Sequence, residues 1–158
     1  MATVKELLGS PTAMTVTLAS LANSTAGVGR QSTLVDNTTN LYLSAQVSCS
    51  ITVGTTPTAN SLIYVYLIRQ DNNGTPIADD GAGTTDAGIT IVNAPLLGTI
   101  LCSAATSNVA YKRIFDTSFL GTLPPKWGIA IVNSTGVALN ATGANHVVSY
   151  IGYNATVA

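Results

Sequence analysis

The stretch Leu41-Tyr42-Leu43-Ser44-Ala45-Gln46-Val47-Ser48-Cys49-Ser50-Ile51-Thr52-Val53 alternates without a break. Leu41, Leu43, Ala45, Val47, Cys49, Ile51 and Val53 fall on one side, and Tyr42, Ser44, Gln46, Ser48, Ser50 and Thr52 on the other. A period of two sends successive side chains to opposite faces of an extended chain, so the stretch reads as a strand with one face in a core. At about 3.3 Å per residue it would reach about 40 Å, longer than most strands, and it is expected to bend or pass between sheets.

Outward from this strand, similar texture recurs at Met14 to Leu21, Ser32 to Val35, Leu62 to Arg69, Ile89 to Val92, Gly98 to Ser103, Val109 to Phe115, Gly128 to Asn133 and Val147 to Tyr153. Gly, Asn, Asp, Thr and Pro punctuate the intervals. Roughly eight or nine short strands without helical crossovers indicate an all-β sandwich or barrel and exclude a parallel α/β sheet. Residues 1–12 read as an N-terminal arm and 13–158 as one domain. One helical turn fits Val4 to Leu8, with Thr3 as cap and Glu6 three residues on, before Gly9 and Pro11 stop it. The interval Asp71 to Gly88 is the longest without strand texture, and loops of that size carry contacts or stay mobile.

Leu62 to Arg69 is apolar on both sides: Leu62, Tyr64, Tyr66 and Ile68 on one, Ile63, Val65 and Leu67 on the other. Both faces need cover. One packs into the core; the other requires the chain's own loop or a second subunit.

The 158 residues are 46% hydrophobic and 8% charged, against roughly a quarter charged in an ordinary soluble domain. A chain of this mass folds to about 7,400 Å² of surface, so a free monomer would be poorly protected from self-association. The net charge of −1 and the scatter of Lys5, Arg30, Arg69, Lys112, Arg113 and Lys126 give no basic stripe for nucleic acid or an anionic membrane. No apolar run approaches the roughly 18 residues of a membrane span. Ala13 to Leu21 has some flavour of a signal segment, but Thr15, Thr17 and Ser20 interrupt it, so the chain is expected to be made in the cytoplasm. Cys49 and Cys102 match neither a zinc spacing nor a disulfide scaffold and read as buried thiols. The Asn-x-Ser/Thr triplets at Asn23, Asn37, Asn133, Asn140 and Asn154 are what chance supplies in a chain this rich in Asn, Ser and Thr.

Catalysis needs titratable groups held together, and few are present. His146, the single histidine, reads as a turn residue before the last strand rather than a general base. Asp79, Asp80 and Asp86 could offer oxygen to calcium but lack the helix-loop-helix spacing, so a solvated loop is the simpler reading. Gly27-Val28-Gly29 and Gly81-Ala82-Gly83 join no strand to a helix and are turn glycines. Tyr42, Tyr111, Tyr150 and Tyr153 lie in strand runs, as packing residues do. Trp127 follows Leu123-Pro124-Pro125-Lys126 at a strand entrance, where it either anchors the core or keeps a wet indole N–H at an interface. The chain is not expected to be an enzyme and is expected to bind no cofactor or metal.

The stretch Thr122-Leu123-Pro124-Pro125-Lys126-Trp127-Gly128-Ile129-Ala130-Ile131-Val132-Asn133-Ser134-Thr135-Gly136, then His146-Val147-Val148-Ser149-Tyr150, resembles small β-rich virion proteins of tailed bacteriophages. Leu21-Ala22-Asn23-Ser24-Thr25-Ala26-Gly27-Val28-Gly29-Arg30-Gln31-Ser32, leading into Leu41 to Val53 and Leu62 to Arg69, is similar to the same group. That group includes capsid decoration or cement proteins. The resemblance implies a jelly roll of about eight strands with a short arm, on the outer capsid surface of the virion. There it would clamp the major capsid protein, and itself as a homodimer or homotrimer, through the arm and loop tips. With the two-faced strand and the tryptophan, this makes Val4, Lys5, Leu7, Leu8, Tyr64, Tyr66 and Trp127 the candidate partner contacts. Two other readings stand beside it. One is a tail-associated or fibre-tip module binding a host glycan; the other is a secreted adhesin or carbohydrate-binding module, which would carry a Cys49–Cys102 bridge.

Overall fold

The strand at the centre of the sequence reading runs as β5 (Ser44–Thr52), and it lies in one of two antiparallel sheets packed face to face. The computed structural model describes residues 4–71 and 79–157. In chain order the other strands are β1 (Val4–Leu8), β2 (Thr12–Ala13), β3 (Val28–Gln31), β4 (Val35–Asp36), β6 (Ser61–Gln70), β7 (Ala87–Thr90), β8 (Leu96–Cys102), β9 (Ala110–Asp116), β10 (Lys126–Ser134) and β11 (Val147–Val157). Sheet A has the order β1-β11-β5-β9, with β2 also on β11; sheet B has β7-β3-β10-β6-β8, with β4 also on β10. The chain crosses between sheets at six of the ten steps from one strand to the next, and the orders β2-β11-β5-β9 and β3-β10-β6-β8 are those of a jelly roll. The protein is an all-β sandwich.

The core follows from the alternation. Ala45, Val47, Cys49 and Ile51 of β5 point inward and are almost fully buried, opposite Ile63, Val65 and Leu67 of β6 and Trp127, Ile129 and Ile131 of β10. Each large aliphatic side chain buried this way contributes about 1.5–3 kcal/mol. Cys49 and Cys102 are unbridged and buried in the same cluster. Burial pushes the Cys49 thiol up to about 12 and that of Cys102 to about 11, which leaves both protonated and inert.

Four sequence expectations are corrected. The opening stretch does not pass between sheets, and it is not one continuous strand: it bends at Leu43, and Leu41 to Leu43 lie outside β5, where Asn37 holds Tyr42 by both its N–H (2.8 Å) and its C=O (3.0 Å). Leu41 then adopts φ 53° and stays exposed. Met14 to Leu21 is not a strand. It crosses the mouth of the sandwich, with Met14 N–H bonded to Val148, Thr15 C=O to Thr33, and Ser20 N–H to Asn140. Its alternation arises because Met14 and Leu18 dip between the sheets in turn. Strand structure around Ser32 to Val35 is displaced to β3 and β4 on either side. Val4 to Leu8 forms no helical turn; it pairs with β11 from Val4↔Val157 to Leu8↔Tyr153. Residues 1–3 of the expected arm and 72–78 of the long loop lie outside the described residues.

The second face of β6 is covered in part by its own chain. Ile68, wholly buried, joins Leu34, Ile89, Ala94 and Ala130 in a small cluster on the outside of sheet B, with Tyr66 and Ile91 against it. The segment from Asp79 to Ala94 makes this cover, and three aspartates pin it. Asp79 accepts Arg69 Nε (3.0 Å), Nη2 (3.2 Å) and main-chain N–H (3.0 Å). One Asp80 oxygen receives the N–H groups of Val92, Asn93 and Ala94 at 2.6–2.8 Å. Asp86 takes Arg30 Nε and both the N–H and the hydroxyl of Thr17.

Candidate interaction surfaces

Those three carboxylates are bound at three different places, so they form neither a calcium site nor a freely solvated loop. Among the described residues no three His, Cys, Asp or Glu side chains converge. His146 Nδ1 accepts Thr52 N–H (3.3 Å) and Nε2 faces the Asn140 carbonyl (2.9 Å), an arrangement that suits a neutral ring donating from Nε2. It ties the β10–β11 connection to β5, a structural task.

The candidate contact residues separate into three places. Lys5, Leu7 and Leu8 are exposed on β1, where β1 and the end of β11 run on past Ser44, the first residue of β5. Val4 belongs to this strand, but its side chain lies outside the described residues. Tyr64 and Tyr66 stack on the outer face of sheet B, ring centroids 6.3 Å apart, each half-buried. Burial, and then the neighbouring Tyr64, hold the Tyr66 phenol above its usual range. Trp127 is the exception. It is 0% exposed, packs edge-on against Tyr150 at 5.1 Å, and its Nε1 has no hydrogen-bond partner among the described residues. The two prolines put it at the start of β10, but the strand register turns it inward, so it anchors the core and touches no surface.

Sequence reading missed the outer face of sheet A. Ser44, Gln46, Ser48 and Ser50 of β5 point outward, flanked by Val147, Ser149, Ile151 and Tyr153 of β11 and by Lys112, Ile114 and Asp116 of β9. An open depression of about 550 Å³ lies across this face, walled by Ile114 and Val147 and floored by Ser48, Ser50 and Ser149. Ile114 is 61% and Val147 57% exposed. Burial holds the Tyr153 phenol above its usual range, and the Asp116 and Glu6 carboxylates act in the same direction. The signal was present in the opening stretch as its polar half, but which apolar residues join it depends on pairing with β9 and β11, which are distant in sequence.

Chemically these surfaces offer mainly aliphatic groups, hydroxyls and amides, with Lys112 and Asp116 on the β9 side and Lys5 and Glu6 on the β1 side of sheet A. Among the described residues no helix is long and apolar enough to cross a membrane. Compared with family models, curated proteins and solved structures, the chain matches none.

Proposed function

We propose that this chain is a structural virion protein that decorates a bacteriophage capsid and cements it by bridging subunits of the major capsid protein. The observation that carries the reading is a charge-poor surface with exposed aliphatic side chains on a jelly roll. A surface of 7693 Å² holds six basic and seven acidic side chains. Arg30, Arg69, Asp79 and Asp86 are already paired within the chain, while Leu7, Leu8, Leu41, Val92, Ile114 and Phe119 are each more than half exposed. Aliphatic, hydroxyl and amide groups can be buried against a partner without the desolvation cost of charges. Jelly rolls serve as capsid components but also as lectins, so the fold alone does not select the reading.

Cryo-electron microscopy of the particle that carries the chain is the test. Density for the jelly roll on the outer shell, contacting at least two capsid subunits, is the expected result; density at the tail or on no particle overturns it. The glycan-binding alternative is favoured by one feature, the stacked Tyr64–Tyr66 pair, and predicts sugar binding that Tyr64→Ala abolishes. The secreted-adhesin alternative required a Cys49–Cys102 bridge, and the thiols are unbridged.

A further inference from the structure

We infer that β9 is a self-complementary edge through which two copies of this chain pair antiparallel, joining their A sheets across a two-fold axis at Ile114. The free groups of this edge are defined by its inner pairing. Thr117 N–H donates to Ala45 C=O (3.0 Å) and Val53 N–H to Val109 C=O (3.1 Å), so the odd-numbered residues of β9 bond inward to β5. The N–H and C=O groups of Lys112, Ile114 and Asp116 therefore point away from the sheet, and they have no main-chain partner among the described residues. Unpaired groups in a row are a template for another strand.

An antiparallel pair has its perpendicular two-fold axes at the centres of directly opposed residues. With the axis at Ile114, Ile114 faces Ile114 of the second copy as a hydrogen-bonded pair, and Lys112 faces Asp116 of the second copy on each side. Each of these opposed pairs can exchange two main-chain hydrogen bonds. All three residues project from the outer face, so the ammonium and carboxylate meet on one side of the joined sheet, from Cα atoms about 5.5 Å apart. One Asp116 oxygen accepts Ser118 N–H at 2.8 Å, leaving the other for the lysine. An axis two residues either way would instead stack Lys112 on Lys112 or Asp116 on Asp116, so charge as well as the exposed isoleucine selects the register.

The other edges are less suited. β8 has an irregular register beside Val65 and Tyr66, and its Thr99 carbonyl is capped by Arg113 Nη1 at 2.8 Å. β7 spans four residues. On β1 the outward groups belong to Val4, Glu6 and Leu8, because Gly9 N–H bonds to Gly152 C=O at 2.8 Å; a hydrogen-bonded axis at its centre would oppose two Glu6 carboxylates. Charged residues at an edge ordinarily repel pairing, but the order Lys112, Ile114, Asp116 reverses that role when the partner is a second copy.

This inference specifies the self-association contained in the proposed function, and its test uses the isolated chain so that the two fail separately. A seven-residue edge buries less area than a standard interface, so the dimer is expected to be weak, with Kd roughly micromolar. Sedimentation equilibrium at low salt should show a monomer–dimer equilibrium. Lys112→Asp and Asp116→Lys should each weaken it by roughly tenfold or more, since each places like charges opposite one another twice per dimer. The double exchange should restore it, which also shows that the variants fold. Hydrogen exchange at the Lys112, Ile114 and Asp116 amides should slow with increasing protein concentration. A wild-type monomer at several hundred micromolar, association indifferent to the single reversals, a double exchange that stays monomeric, or association without amide protection would each overturn the assignment. Binding of the same variants to capsids, measured separately, reports on the cement reading alone.

Discussion

Gly152 in β11 is a position where one methyl group decides the packing. A Cβ there would lie 2.3 Å from Cγ of Tyr42, whose ring also meets Tyr150 edge-on at 6.4 Å. Tyr42 must swing away and lose that contact, so Gly152→Ala is expected to cost about 1–3 kcal/mol. A lower urea midpoint at constant slope would show it; an unchanged midpoint would mean the ring moves freely. Asp80 is a second residue with local authority. Partial burial pushes its carboxyl up, but the N–H donors of Ala94, Val92 and Asn93 outweigh that and hold it below the ordinary range. In Asp86 burial likewise raises, and the hydrogen bonds from Arg30 and Thr17 overcome it. A carboxyl with a depressed folded pKa stabilises the fold above its unfolded value of about 3.9, and that contribution is lost as pH falls through the folded value. Segment 79–94 is therefore expected to loosen below about pH 4, seen as faster exchange of the Val92, Asn93 and Ala94 amides after correction for intrinsic rates. Asp80→Ala should give the same fast exchange at pH 7, and equal protection in the variant and the wild type would refute this account.

Strand β6 shows what an element adds to its residues. Tyr64 and Tyr66 share one face, but Tyr66 packs against the Ile68 cluster beneath segment 79–94, while Tyr64 lies between Val132 and Thr99 in neighbouring strands. Tyr66→Ser is expected to lower stability by about 1–2 kcal/mol and Tyr64→Ser by less than about 1 kcal/mol; thermal melts of the two variants would rank them, and the reverse order would relocate the cover. That β6 is two-faced was legible in its sequence. What covers it was not, because the cover is held by Asp79 to Arg69 and Asp80 to residues 92–94, and hydrogen bonds to main-chain N–H groups leave no periodic trace. The inner face of β5 was legible for the opposite reason: alternation in a half-buried strand is a direct record of the core. Of the two readings of Trp127 the core anchor holds and the interface contact does not; flanking prolines mark a strand entrance but not which way the side chains that follow point. The edge groups of β9 depend on hydrogen-bond parity with β5, which only the fold defines.

At the scale of the whole molecule, the low charge content makes sense once the charges are located. Two Arg–Asp pairs bind the outer segment to sheet B, Arg113 closes the gap to β8 while lying over Phe115, and on the outer face of sheet A Lys112 and Asp116 stand at the β9 edge beside hydroxyls and aliphatic groups. This distribution separates the parts that fold from the parts that can dock, and β1 is where the separation can be tested. β1 and β2 bond to β11 at the margin of sheet A, whereas the core cluster begins at Met14. Deleting residues 1–12 removes edge hydrogen bonds and the exposed Leu7 and Leu8 but no residue of that cluster. The truncated chain is therefore expected to unfold cooperatively in urea at a lower midpoint and, under the proposed cement function, to lose binding to capsids stripped of the protein, measured by co-sedimentation. Undiminished capsid binding would remove the N-terminal strand from the docking surface. Loss of cooperative unfolding would instead make β1 and β2 part of the folding unit, because the bare β11 edge would then be too costly to leave unpaired.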